Sequence, residues 1–239
     1  MLKEKLTDRA HVICHMMVSA DNKTDSGVEG VDLFDVYMPT YNKIHDSFHA
    51  QAWMCGRKTM EMFAASVGTS LEKINSEIPQ VDYLAKTDAK QYAIAVDTKG
   101  LLRWTSDQIS DNVGLADHLI VIVTLQTPKE YLHHLQAKKI SYVISQSDKV
   151  DFNEVLKTLK QKFGIQKVLL EGGGILNGSM VNVIDEVSVL KTPIVANNPD
   201  AHSFFGVNEV ESNKLWMNFL LIEEILLENG LSWLRYQHK

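Results

Sequence analysis

Near residue 170 an apolar run, Lys167 to Leu170 (KVLL), ends in a carboxylate and three glycines, Glu171-Gly172-Gly173-Gly174, ahead of a helix-like ILNGSMVN. Consecutive glycines let a backbone come close to a ligand, and a helix start offers unpaired N–H groups and positive dipole to an anion. A phosphate is the natural guest of such a turn; tight-turn packing is the other reading. The spacing G-G-G-I-L-N-G is not the dinucleotide G-x-G-x-x-G, and no Gly-Lys-Ser/Thr follows to make a P-loop. Glu171 would repel a phosphate beside it, so its carboxylate better suits the hydroxyl groups of a second ligand, unless it serves as a cap or in an ion pair.

A second turn, Cys55-Gly56-Arg57-Lys58-Thr59, joins a short strand to a helix and sets two cations and a hydroxyl at the helix start. Arg57 can fork onto a phosphate and Thr59 can cap the helix or donate to an oxygen, although adjacent cations are also ordinary solvated surface. Two such turns in one chain suit a ligand with separated anionic centres, such as the pyrophosphate and 2′-phosphate of NADPH. A third junction follows HVICHMMV, residues 11 to 18, where Ser19-Ala20-Asp21-Asn22 are turn formers with a carboxylate among them.

These turns need strands and helices to position them. Residues 11–18, 51–54, 92–96, 118–124, 141–144, 167–170 and 186–191 read as strands. Residues 41–50, 59–65, 129–138 and 153–163 read as helices, the last with Asp151 as cap and Val155, Leu156, Leu159 and Phe163 on one face. Strand and helix alternate, which predicts an α/β fold with a mostly parallel sheet, helices on both faces and ligands beyond the carboxyl ends of strands. Residues 215–228 and 231–236 predict an antiparallel hairpin at the sheet edge, turning at Asn229-Gly230 in type I′ geometry.

With 239 residues, 45% hydrophobic and 23% charged, the chain can bury a sizeable core, and without repeats or linkers a single domain over 1–239 is expected. A net charge of −6 without a basic cluster argues against nucleic-acid binding. Cys14 and Cys55 are too far apart in sequence for a CxxC site and build no disulfide framework. The N-terminus lacks a long apolar run, and no stretch of about 18 uncharged apolar residues occurs. A cytoplasmic protein without a membrane span is therefore expected, and no metal site. His49-Ala50-Gln51 has Gln where a zinc deaminase needs its catalytic Glu, with no PCxxC after it. The adjacent His133 and His134 would point apart on a helix, and Trp53, Trp104, Trp216 and Trp233 show no regular spacing.

The ordered segments HMMVSADNKT, AWMCGRKTMEMF, YAIAVDTKGLLRW, KVLLEGGGILNGSMVNVIDEVSVLKTPIV and LSWLRY span about residues 11 to 236. Together they resemble the reductase domain of bacterial riboflavin biosynthesis, the 5-amino-6-(5-phosphoribosylamino)uracil reductases. The resemblance implies a dihydrofolate-reductase-like fold, NADPH as cofactor, a phosphorylated pyrimidine or pteridine as small-molecule substrate, and a homodimer. It places Ser19 and Asp21 in the loop bordering cofactor and substrate, and Glu171 against the substrate's ribosyl portion. Asp21 and Glu171 become the catalytic candidates, orienting ribosyl hydroxyls, with Asp21 also a candidate to relay a proton. Gly56, Arg57 and Thr59 match the turn near the cofactor, Arg57 facing the 2′-phosphate. Thr98 matches a position near the adenosine half, and Gly172, Gly173, Gly174, Ile175 and Leu176 begin the pyrophosphate turn and helix that runs to Ser179.

The chain departs from that pattern in three places. Asn22 replaces the usual loop glycine, and Asn tolerates positive φ. Pro193 to Pro199 lacks the family's Gly-Gly turn, and an acidic insert, 25–46, reads as a lid, a dimer arm or a solvated loop. Two other functions stay open: a dihydrofolate or other pteridine reductase on the same fold, and a nucleotide-binding protein without hydride transfer.

Overall fold

The structure, a computed structural model, describes residues 8–28, 32, 34–110, 116–206 and 218–239. In chain order the elements are β1 (His11–Val18), α1 (Met38–Ser47), β2 (Ala52–Gly56), α2 (Arg57–Met60), β3 (Ser66–Val67), β4 (Tyr92–Val96), β5 (Leu102–Arg103), β6 (Gln108–Ser110), β7 (Ala116–Thr124), α3 (Lys129–Ala137), β8 (Ser141–Ser145), α4 (Phe152–Phe163), β9 (Lys167–Leu170), α5 (Gly174–Ser179), β10 (Glu186–Lys191), β11 (Phe219–Leu226) and β12 (Ser232–His238). They fall into two compact units, one built on Gln51–Val168, the other on Val12–Ala50 with Leu169–Lys239.

In the first unit β2 pairs with β4, β4 with β7 and β7 with β8, all parallel, and β6 joins β7 antiparallel. Parallel strands covered by helices must be apolar on both faces, and Ala93, Leu119, Val121, Val123 and Ile144 are buried together with Tyr131, Leu132 and Leu135 of α3. Asp151 caps α4 by accepting from the N–H groups of Asn153 and Glu154, and Gly164 ends the helix at φ +71. The face of α4 expected inward, Val155, Leu156, Leu159 and Phe163, is buried.

In the second unit β1 and β10 pair in parallel, and β12 runs antiparallel between β10 and β11. The β11–β12 turn carries positive φ at Asn229 and Gly230, as a type I′ turn requires. The result is the expected fold class: helices flanking mixed sheet, parallel at its centre, with β11 as an antiparallel edge strand.

Several boundaries differ from the sequence expectation, most by one or two residues; β11 is confined to Phe219–Leu226 where 215–228 was expected. The helix expected at 59–65 starts at Arg57 and tightens into a 3-10 turn over Glu61–Phe63. The helix expected at 41–50 is α1, which begins at Met38 with Pro39 in its first turn and stops at Ser47, before His49 at φ +48. The short strands β3, β5 and β6 are too brief to show a period of two and were not anticipated. Residues 215–217, Trp216 among them, and residues 29–31 and 33 of the insert lie outside the described residues.

Candidate functional site

The loop after β1 is closed by its own side chains. Ser19 is fully buried; its Oγ donates to Asp21 Oδ1 at 2.7 Å and accepts from the Lys23 N–H at 2.8 Å. Asn22 takes φ +62, the conformation a glycine there would adopt. The Asp21 carboxylate accepts from the backbone N–H groups of Ala196 at 2.9 Å and Asn197 at 3.0 Å. The Ser19 hydroxyl and those two amides hold the Asp21 carboxyl down to about 2. The stretch without the family's Gly-Gly pair is thus fastened to this loop, with Asn197 itself at positive φ. Lys23 Nζ donates to the Ala201 carbonyl at 3.0 Å.

Glu171 follows β9 directly. Its Oε1 accepts from the Tyr41 hydroxyl at 2.9 Å and from His45 Nδ1 at 2.8 Å, both carried by α1. Behind this carboxylate the Tyr41 ring stacks on His15 with centroids 4.3 Å apart. His15 is fully buried and bonds through Nδ1 to Ser188 Oγ at 3.0 Å, and the Trp233 indole N–H donates to the same oxygen at 2.8 Å. Burial outweighs the pull of the Glu171 charge and holds the His15 imidazole down to about 4. Burial also pushes the neighbouring Cys14 thiol far up, with Glu171 adding to the effect. Tyr41, His45, His15 and Ser188 escape the sequence reading, which takes Trp233 as core or pocket wall. The one available signal was the spacing of Tyr41 and His45, i and i+4 on one helix face.

Gly172 sits at φ +105, where side chains are strained, and the Gly172–Gly173 peptide is cis. Of the expected pyrophosphate residues, Gly173 is half-buried and Ile175 exposed, whereas Gly172, Gly174 and Leu176 are buried. The first N–H groups of α5 have no intrahelical acceptor, which leaves a donor set of the kind an anion requires. Gly174 is glycine for a second reason: a Cβ there would lie 2.3 Å from the Ser203 carbonyl oxygen.

In the first unit Gly56 precedes α2, whose Arg57 and Thr59 are half-buried. Arg57 and Lys58 both donate to the Glu61 carboxylate. Thr98 offers its carbonyl to Thr127 Oγ1 at 2.9 Å. The preceding Asp97 is buried and accepts from the N–H groups of Leu101 and Leu102 and from the Tyr131 hydroxyl, so it builds the turn.

Residues 10–225, which include all of these positions except Trp233, match the RibD C-terminal domain. The chain belongs to this family. Within the RibD C-terminal family it is 28% identical over 117 residues to the 2,5-diamino-6-ribosylamino-4(3H)-pyrimidinone 5′-phosphate reductase of Methanothermobacter thermautotrophicus, a match taking in 46% of this chain and 53% of that protein. RibD of Acinetobacter baumannii shares the fold at a TM-score of 0.66 and 19% identity; the likeness covers 98% of this chain but 59% of the longer RibD chain. A pyrimidine reductase-like protein of Corynebacterium diphtheriae gives a TM-score of 0.66 at 13% identity, covering 96% of this chain and 92% of that one. The riboflavin biosynthesis reductase Rib7 of Saccharomyces cerevisiae gives 0.60 at 15% identity, with 98% and 92% covered.

Proposed function

We propose that this RibD C-terminal family member is an NADPH-dependent reductase that converts the ribosyl group of a phosphoribosylamino-pyrimidine into a ribityl group. The observation that carries the reading is the junction of β9 and α5, where one carboxylate, Glu171, adjoins a glycine turn and the start of a helix, whose first N–H groups have no intrahelical acceptor. The carboxylate accepts from ribosyl hydroxyls, and the N–H groups at Gly173 and Ile175 receive a pyrophosphate. The name of the Methanothermobacter relative, a reductase of a ribosylaminopyrimidinone phosphate, supports this substrate class. The family match runs through both compact units, which supports treating them as one working domain.

When bound, NADPH supplies the hydride for the C1 carbon of the opened ribosyl group. The chain's own part is then orientation and exclusion of water rather than attack by a nucleophile. Arg57 reads the 2′-phosphate, with Gly56, Thr59 and Thr98 lining the adenosine half and Gly172 to Leu176 the pyrophosphate. Ser19 and Asp21 keep the loop after β1 in shape, and Asp21 borders the substrate. Cys14 and Cys55 are buried and neither is in a disulfide, which suits the reducing cytoplasm, and among the described residues no helix is long and apolar enough to cross a membrane. A homodimer would cover β11, an edge strand that exposes Leu220, Leu221, Ile222 and Leu226. Sedimentation tests that assembly.

Fluorescence titration with NADPH and NADH tests the cofactor. Absorbance at the nicotinamide band after adding the aminouracil substrate, or its diamino-pyrimidinone counterpart, tests the reaction and shows which base is accepted. Selective NADPH binding with substrate-dependent oxidation is the expected result. Oxidation with dihydrofolate alone would move the chain to pteridine reduction, and failure to bind either nucleotide would overturn the reading.

A further inference from the structure

The Glu171 carboxylate is met from a distant part of the sequence. Tyr41 and His45, one helical turn apart on α1, converge on Oε1 at 2.9 and 2.8 Å. Their helix lies in the segment that the sequence left undecided between lid, dimer arm and solvated loop. It is firmly seated: Ile44 and Phe48 are buried, Phe48 meets the edge of His15, and the Tyr41 hydroxyl is also 3.1 Å from the His15 carbonyl. His15 is in turn fixed by Ser188, which Trp233 holds from β12. The chain of contacts therefore runs from two strands of the sheet, through a buried imidazole and a stacked phenol, to one carboxylate oxygen.

A glutamate side chain has three rotatable bonds, and a carboxylate free to turn must lose that freedom when a ligand hydroxyl binds. Two donors on Oε1 remove it beforehand, and the hydrogen bonds are of the strong, charge-assisted kind. Tyr41 and His45 are near enough to set the direction in which the carboxylate faces, while neither belongs to the glycine turn or to α2.

We propose that Tyr41 and His45 are positioning residues that preset the Glu171 carboxylate for the vicinal hydroxyls of a ribosyl group, making α1 a determinant of substrate recognition. This rests on Glu171 being the substrate-binding group of the proposed reductase.

The test compares Tyr41→Phe, which keeps the ring stacked on His15, with His45→Ala and with His45→Asn, whose amide N–H can replace the Nδ1 donor. Each is measured for KM, kcat and NADPH affinity with the phosphoribosylamino-pyrimidine and with an analogue lacking one ribosyl hydroxyl. Tyr41→Phe and His45→Ala are expected to raise KM about 10-fold, the scale of one lost charge-assisted bond, with NADPH affinity unchanged and less discrimination against the analogue. His45→Asn should recover most of the loss. The ¹³C carboxyl resonance of Glu171, assigned through Glu171→Gln, should move in Tyr41→Phe and His45→Ala even without substrate. If Glu171→Gln leaves turnover intact, the substrate role of Glu171 falls. If Glu171→Gln abolishes turnover while the α1 variants keep wild-type KM and discrimination, the positioning role alone falls. An unmoved carboxyl resonance would overturn the positioning role whatever the substrate.

Discussion

Gly178 packs so closely on Gly206 that a Cβ on Gly178 would lie 1.9 Å from the Gly206 carbonyl oxygen. The neighbouring contact is of the same kind: Gly206 N–H donates to the Gly174 carbonyl at 2.8 Å, and a Cβ on Gly174 would meet Ser203. Backbone against backbone cannot give way as a flexible side chain can. Gly178→Ala is therefore expected to unseat the Ser203 to Gly206 segment and to destabilise the fold by about 2–3 kcal/mol, at the upper end for overpacking. Urea denaturation checks the loss. A midpoint equal to that of the parent would mean that the segment moves aside without cost.

This contact also marks what the sequence could and could not disclose. The strands β4, β7, β8, β9 and β10 were legible as short apolar runs, and the helix α4 by its apolar spacing and the Asp151 cap. The glycines of E-G-G-G-I-L-N-G were legible as a demand for close approach, but a sequence cannot say what approaches. Gly174 and Gly178 answer to residues 203–206, an approach that the residue types alone do not name. The partners of Glu171 were hidden for a different reason. Tyr41 and His45 lie 130 and 126 positions from it in sequence, and α1 has a mixed polarity that gives no sign of which face is inward. Asp21 stood out as a carboxylate, yet besides Ser19 it is held by the backbone amides of Ala196 and Asn197, which have no signature in residue type.

Arg57 tests the cofactor reading. Its guanidinium is shared with Glu61, which also accepts from Lys58, so an arriving 2′-phosphate would compete with a resident carboxylate. Arg57→Ala should weaken NADPH about 10-fold or more while NADH changes little, since charge-assisted bonds to a phosphate are worth about 1.5–3 kcal/mol. Glu61→Gln should act in the opposite direction and tighten NADPH. Fluorescence titration of both nucleotides measures the ratio, and equal weakening of the two by Arg57→Ala would remove the 2′-phosphate role.

His15 makes stability depend on pH. Its folded pKa is lowered to about 4 from an ordinary 6.5, so the unfolded chain takes up the proton first as pH falls. The stability from keeping His15 neutral is complete above about 6.5 and is lost as pH falls toward 4, a change on the order of 3 kcal/mol for this shift. Urea unfolding free energies measured at steps across that range should decline in the parent. His15→Gln keeps a polar partner for Ser188 and should lower stability at pH 7 but flatten the decline. An equally steep decline in the variant would assign the pH dependence to other groups.

Asp21 titrates with the opposite sign. Its folded pKa is depressed to about 2 from an ordinary 3.8, so its contribution is present above about 3.8 and is lost only as pH falls through 2. The loop after β1 should therefore stay fastened to Ala196 and Asn197 under mild acid that already charges His15. Hydrogen exchange separates the two events, because the amides of Ala196 and Asn197 donate directly to Asp21. Asp21→Ala should speed exchange at those two amides by about 10-fold or more, as expected for the loss of charge-assisted acceptors, while the amides of β4 and β7 keep their protection. If the Ala196 and Asn197 amides exchange at the parent rate in Asp21→Ala, the segment is held by other contacts. The Ala20 N–H to Ile194 carbonyl bond at 2.6 Å would then be the first to test. If they speed up and turnover falls with them, while NADPH affinity is kept, Asp21 serves the reaction by shaping the loop.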